Sequence, residues 1–263
     1  MKPFAYHRPT ALAEAAALLA ATPGAVAISG GMSLLPAMKL RLAEHAALID
    51  LTRIEALHCI AVTPEAVTIG AATRHADVAF SPEIRRAIPA LAALAGGIGD
   101  PHVRNRGTLG GALANADPAA DYPAAALALG ASIRTERRTL AADSFFQGLF
   151  TTTLAPGEII TDVRFPRPIA AAYAKFRSPA SRFAIVGVFV ARFASHVRVA
   201  VTGAAARPFR VPAMEEALAR SFTAQAIAGI GVPAEGLNDD IHAEPSYRAH
   251  LVGVMARRAV ASA

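Results

Sequence analysis

The sequence is poor in residues that build several kinds of functional site, beginning with cysteine. Of the 263 residues only Cys59 is a cysteine, and tryptophan is absent. A single thiol forms neither an internal disulfide nor a metal cluster ligated by several thiolates. The eight histidines are dispersed, with no two at metal-ligand spacing on a helix. We therefore predict no metal site in this chain.

Lysine and aromatic residues are also scarce, which bears on nucleic-acid binding. The formal net charge is +6, but the chain has 23 arginines and only 3 lysines, and aromatic residues make up 6%. The arginines stand singly or in pairs, and the nearest to a cluster is Arg134, Arg137 and Arg138. Proteins that bind nucleic acids combine a basic patch with aromatic side chains on which bases stack. We predict no nucleic-acid partner.

Long apolar runs are missing as well. A membrane-spanning helix needs about 18 or more apolar residues, and the longest candidates, residues 87–99 and 122–133, are shorter and contain glycine or proline. The first nine residues lack the apolar core of a signal peptide. We expect a cytoplasmic protein without a membrane span, whose 54% apolar residues suffice for a core.

The common catalytic motifs are absent. The sequence contains neither Gly-x-Gly-x-x-Gly nor Gly-x-x-x-x-Gly-Lys. Ser33 lies in no Gly-x-Ser-x-Gly turn, Cys59 is expected to be a buried apolar side chain, and His102 is expected in a loop rather than as a base. We therefore predict no catalytic residue in this chain.

Two paired glycines, Gly30-Gly31 and Gly110-Gly111, stand eighty positions apart. Glycine lets the main chain approach a ligand closely, and successive exposed N–H groups form an anion-binding concavity. Either pair alone is compatible with an ordinary turn. Together they predict a site for two adjoining phosphates, as in a dinucleotide, with Asp121 as an acceptor for ribose hydroxyl groups.

The hydrophobic pattern predicts an α+β organisation in two parts. A strand over residues 25–28 runs into the first glycine pair, and a second strand follows at 47–51. A hairpin over 59–70 then opens a larger unit that ends near Pro166. Pro168 and the alanines at 170–172 predict a domain boundary, and three strands with helices follow it.

Three segments resemble the FAD-binding medium subunits of molybdenum hydroxylases, the carbon monoxide dehydrogenase and xanthine dehydrogenase family. They are Gly30-Gly31-Met32-Ser33-Leu34-Leu35-Pro36 with Lys39-Leu40-Arg41-Leu42, Arg104-Asn105-Arg106-Gly107-Thr108-Leu109-Gly110-Gly111, and Asp117-Pro118-Ala119-Ala120-Asp121. The resemblance implies a two-subdomain FAD-binding domain of the PCMH/VAO type over 1–168, divided at about residue 55. A small C-terminal domain over 172–263, with a three-stranded antiparallel sheet and helices, is implied after it.

The resemblance also implies which residues bind FAD. The backbone at both glycine pairs would line the diphosphate, Asn115 and Asp121 would complete the adenosine side, and Phe183 would lie near the isoalloxazine ring. Many relatives have Asn where this chain has Ala112, which removes one side-chain contact, and many have Ala in place of Ser29. The implied set is Ser29, Gly30, Gly31, Met32, Ser33, Leu34, Thr108, Leu109, Gly110, Gly111, Ala112, Asn115, Asp121 and Phe183.

The function implied by the resemblance is electron transfer within an oxidoreductase complex. A large partner subunit would carry the molybdenum cofactor and a small one two [2Fe-2S] clusters, in a heterotrimer or its dimer. FAD in this chain would pass electrons from a cluster to an external acceptor. Two alternatives stay open from the residues alone: a flavin-dependent oxidase that acts without partners, and a non-catalytic nucleotide-binding module.

Overall fold

A computed structural model describes all 263 residues, and its first unit is a small parallel sheet. The strands lie in the order β1–β3–β2, and both pairs are parallel. Because parallel strands end at the same edge, loops that leave these strands meet there, where ligands of open α/β sheets bind. The elements are β1 (Ala5–His7), α1 (Leu12–Ala21), β2 (Ala25–Ile28), α2 (Leu34–Lys39) and β3 (Ala47–Asp50).

The second unit is built on an antiparallel sheet of five strands in the order β4–β5–β10–β6–β7, with β8 and β9 as a separate hairpin. Its strands are β4 (Ile60–Val62), β5 (Ala66–Gly70), β6 (Ser132–Thr135), β7 (Thr139–Ala141), β8 (Phe146–Gly148), β9 (Thr151–Thr152) and β10 (Ile160–Pro166). Its helices are α3 (His75–Phe80), α4 (Pro82–Ala87), α5 (Pro89–Gly96), α6 (Pro101–Arg106), α7 (Leu109–Asn115), α8 (Tyr122–Ala128) and α9 (Ala142–Phe145).

The third unit is an antiparallel sheet in the order β11–β12–β13–β14, followed by helices. Its elements are β11 (Ala170–Arg177), β12 (Ala184–Arg192), β13 (Val197–Thr202), β14 (Phe209–Arg210), α10 (Pro212–Arg220) and α11 (Pro245–Ser262). Strand β12 is buried on both faces. Phe189 and Ala191 pack toward helices of the second unit, while Val188 and Val190 pack under α10 and α11, as the two-residue period of a strand requires.

Four sequence-based expectations need correction. The predicted three-stranded sheet has a fourth, two-residue strand, β14, which pairs with β13. Strand β11 begins at Ala170, so the alanines expected at a domain boundary belong to a strand. Cys59 is exposed rather than buried, and His102 lies in helix α6 rather than in a loop. None of the helices combines the length and the apolar character that crossing a membrane requires.

A seam of hydrogen bonds joins residues 117–121 to the third sheet. The Thr202 hydroxyl donates to the Pro118 carbonyl oxygen at 2.9 Å and to the Ala120 carbonyl oxygen at 2.6 Å. The Gly203 amide also donates to Pro118, at 2.7 Å. The segment after α7 is thereby fixed to the C-terminal sheet, although some eighty residues separate the partners along the chain.

Candidate functional site

The loop after β2 presents a run of uncommitted backbone donors. From Ser29 to Ser33, the backbone N–H groups donate no hydrogen bond within the chain. Gly31 has a φ of 71°, a left-handed conformation that glycine adopts at little cost. The Ser29 hydroxyl is buried and also lacks a partner. We name residues 29–33 the amide cradle.

The position of the amide cradle follows from the sheet. Ile28 pairs with Asp50 at the carboxyl ends of β2 and β3, so Ser29 is the first residue beyond the sheet. Unpaired main-chain donors near a surface are normally satisfied by water or by a ligand, and successive N–H groups in such a loop suit an anion. The cradle therefore suits a phosphate-bearing ligand at the carboxyl edge.

The two glycine loops are in direct contact. A methyl group on Gly30 would overlap the carbonyl oxygen of Arg106 and would lie 2.7 Å from the Cα atom of Gly107. Only a glycine allows the cradle to pack this closely on the chain that enters the second loop. The structure thus brings together two segments that are far apart in sequence, and a two-phosphate site at this contact stays a prediction.

The second glycine pair differs from the expectation of bare backbone, because it lies in the first turn of helix α7. The Leu109 amide donates to the Thr73 carbonyl oxygen at 3.0 Å, and the Gly110 amide donates to the Ala71 carbonyl oxygen at 2.8 Å. The Thr108 hydroxyl caps the helix by accepting from the Gly111 amide at 3.3 Å. Only the Thr108 amide in this group donates to nothing in the chain.

The two glycines of this pair also have opposite surroundings. Gly110 is buried, and a methyl group there would lie 2.5 Å from the Ala71 Cβ atom and 2.9 Å from the Ala71 oxygen. Gly111 is exposed, and its methyl group would meet only the Thr108 hydroxyl, at 2.9 Å. A side chain at Gly111 would therefore project onto the surface, whereas one at Gly110 would collide with the protein interior.

The remaining residues of the predicted adenosine side lie on or just beyond α7. Ala112 and Asn115 are both half-buried on this helix. Asp121 is buried, and its carboxylate accepts from the Tyr173 hydroxyl and from the Lys175 ammonium group at 3.0 Å. The Asp121 oxygens are thus already held by Tyr173 and Lys175 of β11, so a ribose hydroxyl group would share them. An adenosine contact by Asp121 stays a prediction.

Phe183 lies at the entrance to β12, directly before Ala184. Its side chain is 47% exposed and lines a cavity of about 480 Å³ together with Pro118, Leu149 and Phe150. None of residues 29–34 lines this cavity. The contact of Phe183 with the isoalloxazine ring likewise stays a prediction.

Sequence reasoning missed His75, which supports the second loop. The His75 amide donates to the Gly107 carbonyl oxygen at 2.9 Å. A methyl group on Gly107 would lie only 2.6 Å from the His75 Nε2 atom, so the ring leaves no room for a side chain there. The ring packs beside Tyr122, and Nδ1 has no partner. Burial lowers the pKa of His75 to about 4. No feature of the sequence around His75 distinguishes it from a surface histidine.

Comparisons with known proteins show which family the chain resembles. Residues 2–168 match the family described as the FAD binding domain in molybdopterin dehydrogenase. The chain is 35% identical to the nicotine 6-hydroxylase medium subunit of Paenarthrobacter nicotinovorans, covering 98% of this chain and 96% of that protein. It is 36% identical to the carbon monoxide dehydrogenase medium chain of Hydrogenophaga pseudoflava, covering 99% and 96%.

Solved structures of related proteins have the same fold over the whole length of the chain. A chain of carbon monoxide dehydrogenase from Hydrogenophaga pseudoflava superposes with a TM-score of 0.89 at 36% identity, covering 100% of this chain and 98% of that one. A chain of quinoline 2-oxidoreductase from Pseudomonas putida 86 superposes with a TM-score of 0.90 at 28% identity, covering 99% and 97%. The α+β fold expected from the sequence is confirmed.

Proposed function

This chain belongs to the family of FAD-binding domains in molybdopterin dehydrogenases, and from that premise we propose that it transfers electrons within a molybdenum-containing hydroxylase or dehydrogenase complex. Its relatives are named as medium subunits of oxidoreductases. The chain is accordingly an FAD-binding medium subunit of such a complex. When bound, FAD supplies redox chemistry in one-electron and two-electron steps.

The observation that carries the proposal is the amide cradle. The diphosphate of FAD bears two negative charges, and the N–H groups of Ser29 to Ser33 have no competing acceptor in the chain. Hydrogen bonds to charged groups contribute about 1.5–3 kcal/mol each. The residues present therefore fit the diphosphate. Because the donors are backbone N–H groups, the fit does not depend on whether residue 29 is Ser, as here, or Ala, as in many relatives.

We assign the remaining contacts as follows. Met32 and Ser33 belong to the cradle and Leu34 follows it, Thr108 offers one more free amide, and Gly111 with Ala112 leaves room beside the cradle. Leu109 and Gly110 support the site indirectly, because their amides anchor the start of α7 to Thr73 and Ala71. Asn115 and Asp121 lie toward the adenosine, and Phe183 lies toward the flavin ring.

We propose that the other redox centres lie on partner subunits. Iron–sulfur clusters need several cysteine thiolates, and this chain has one cysteine. We infer a small subunit that carries [2Fe-2S] clusters and a large subunit that carries the molybdenum cofactor, in a heterotrimer or its dimer. Electrons would enter from a cluster and leave to an external acceptor. The medium-subunit names of the relatives support this division.

We also propose a division of the chain by role. Residues 1–168 form the FAD-binding domain, with subdomains that meet at about residue 55. The C-terminal domain is proposed to cover 172–263, although β11 itself begins at Ala170. The matched family segment supports the first of these domains.

The substitution Gly111→Val tests the FAD site. We expect the valine side chain to project beside the cradle, into the room left for FAD, and to lower FAD retention at least tenfold. The fold should tolerate this change, because the only close neighbour of the new side chain is the flexible Thr108 side chain. The measurement is the FAD content of the purified chain and its affinity for added FAD by flavin fluorescence. Gly229→Val is the control, since nothing lies within 4 Å of a methyl group there. Equal FAD affinity in both variants would contradict the assigned site.

Co-expression of this chain with a large molybdenum-cofactor subunit and a small iron–sulfur subunit tests the assembly. We expect a coloured complex that contains flavin, iron and molybdenum and that elutes together in gel filtration. Reduction of its flavin should follow addition of the substrate of the large subunit. If this chain elutes alone in the presence of both partners, the proposed electron-transfer role is wrong, even where FAD binding holds.

A further inference from the structure

Two arginines lie at the carboxyl edge of the parallel sheet, beside the amide cradle and outside the set of residues assigned to FAD. Arg8 follows β1, whose last pair is His7 with Ile49, so Arg8 lies opposite Asp50. On the other side of Asp50, Ile28 leads into the cradle. With strands about 4.8 Å apart, Arg8 and Ser29 are separated by two strand spacings, roughly 10 Å.

Asp50 anchors this edge. Its carboxylate accepts from the Tyr6 hydroxyl and from the Thr52 amide at 2.8 Å, and the Arg8 Nε atom lies 3.3 Å from it. Burial raises the pKa of Asp50, but the hydrogen bonds from Tyr6 and Thr52 and the Arg8 charge outweigh burial, and the net pKa is lower than usual. Asp50 is therefore a buried anion directly beside the cradle.

A buried anion at this place would oppose a bound phosphate unless it were neutralised. Arg8 supplies the opposite charge, while its side chain stays 40% exposed. The guanidinium group donates no hydrogen bond within the chain, and its closest contact with Asp50 is through Nε. The two Nη groups of Arg8 therefore remain available to a ligand, and they can donate two parallel hydrogen bonds to one phosphate group.

Arg106 approaches the cradle from the second loop. Its carbonyl oxygen packs against Gly30, and its exposed guanidinium group forms no ion pair in the chain. Desolvation and the Asp50 hydrogen bond raise the pKa of Tyr6, whereas the charges of Arg8 and Arg106 act to lower it. Both arginines are thus near enough to the same phenol for their charges to act on it.

Two other arginines show how an internal partner occupies a guanidinium group. Arg138 is held by Glu158 through Nε and Nη2, and Arg248 donates from Nη2 to both carboxylate oxygens of Asp240. Arg8 and Arg106 differ, because they leave donors free next to a loop whose amides are also free. The combination of fixed backbone donors with two cationic side chains is typical of sites that bind phosphate groups.

We propose that Arg8 and Arg106 form a cationic rim beside the amide cradle that binds the diphosphate of FAD. This inference rests on the proposed function and names side chains for a contact that otherwise depends on backbone alone. The rim also accounts for a buried carboxylate beside an anion site, because Arg8 offsets the charge of Asp50 where the diphosphate lies.

The test is the affinity of the full chain, stripped of flavin, for FAD at several salt concentrations. We expect Arg8→Met and Arg106→Met each to weaken FAD binding about fivefold at low ionic strength, and the double variant about 25-fold. Salt should weaken binding to the wild-type chain more steeply than binding to either variant, because screening acts on the charges that the variants lack. Arg8→Lys should retain part of the effect, as it keeps the charge but loses the paired donors.

Arg220→Met is the matched control. Arg220 is an exposed arginine at the end of α10, so this variant has the same change in net charge at a distant place. The inference is wrong if Arg8→Met and Arg106→Met bind FAD as Arg220→Met does, or if their loss of affinity is the same at all salt concentrations. If Gly111→Val loses FAD while the rim variants do not, the proposed function stands and the rim is refuted. A wild-type chain that binds no FAD overturns both.

Discussion

His75 links the protein interior to the second glycine loop without making a side-chain hydrogen bond. Its amide holds the Gly107 carbonyl oxygen, and its ring fills the space that a Gly107 side chain would need. A protonated imidazole would be poorly solvated there, which is why burial lowers the pKa of His75 to about 4 from 6.5. The shape of the loop thus depends on a histidine that stays neutral.

We expect the stability of the folded chain to decrease as the pH is lowered from about 6.5 to about 4, because of His75. In that range the unfolded chain binds a proton at His75 and the folded chain does not, so acidification favours unfolding. A pKa lowered from 6.5 to about 4 corresponds to about 3 kcal/mol of stability over the full range.

The measurement is the free energy of unfolding by urea at pH 7 and at pH 4.5, for the wild-type chain and for His75→Leu. The variant should lose less stability on acidification, because it has no group to protonate at that place. If the wild-type chain and the variant lose the same amount, the assigned role of His75 is wrong.

At the scale of the element, helix α7 explains why glycine occurs twice in succession. The helix starts against the end of β5, where the Gly110 amide donates to Ala71, and this close approach leaves no room for a Cβ atom. Gly111, one residue further, faces outward. The two glycines of the pair therefore serve different purposes, one for packing and one for access to the surface.

Gly110→Ala should destabilise the fold by about 1–3 kcal/mol, because its methyl group would lie 2.5 Å from the Ala71 Cβ atom. Alanine favours a helix over glycine by up to about 1 kcal/mol, so a purely local effect would have the opposite sign. Thermal unfolding distinguishes the two, with Gly229→Ala as the control in open space. An unchanged or raised midpoint for Gly110→Ala would show that α7 can shift away from Ala71.

At the scale of the whole molecule, the C-terminal sheet is joined to the rest by a buried ion pair as well as by packing. Asp121 at the start of α8 pairs with Lys175 of β11, and Lys175 also donates to the carbonyl oxygens of Gly97 and Arg182. The Lys175 ammonium group thus connects the end of α5 and the start of α8 with the turn that carries Phe183. Together with the hydrogen bonds of Thr202, this pair fixes the third sheet relative to the second unit.

Lys175→Met should cost about 3–5 kcal/mol of stability, because it leaves Asp121 buried without its opposite charge. Replacing both partners, as Lys175→Met with Asp121→Asn, should recover a large part of this loss, since no uncompensated charge remains. A double-mutant cycle on chemical unfolding measures the coupling. Additive losses would mean that the pair contributes little to joining the units.

Much of the fold was determined by local sequence. The strand at residues 25–28 is found with the predicted bounds, and the continuous apolar run of β12 corresponds to burial on both faces. Glycine pairs and the motifs around them indicated both loops and the family. These features are local because strand periodicity and glycine backbone freedom depend on near neighbours in the chain.

Only the tertiary structure decided which backbone donors are free. The amides of Leu109 and Gly110 are taken by Thr73 and Ala71, and the Asp121 carboxylate by Tyr173 and Lys175, all of them partners distant in sequence. The pattern of residues around a glycine pair cannot specify such partners, because a hydrogen bond depends on which strands and helices meet. For the same reason the sequence indicated bare backbone at both glycine pairs, where the fold has one loop of free amides and one helix start in which only the Thr108 amide is free.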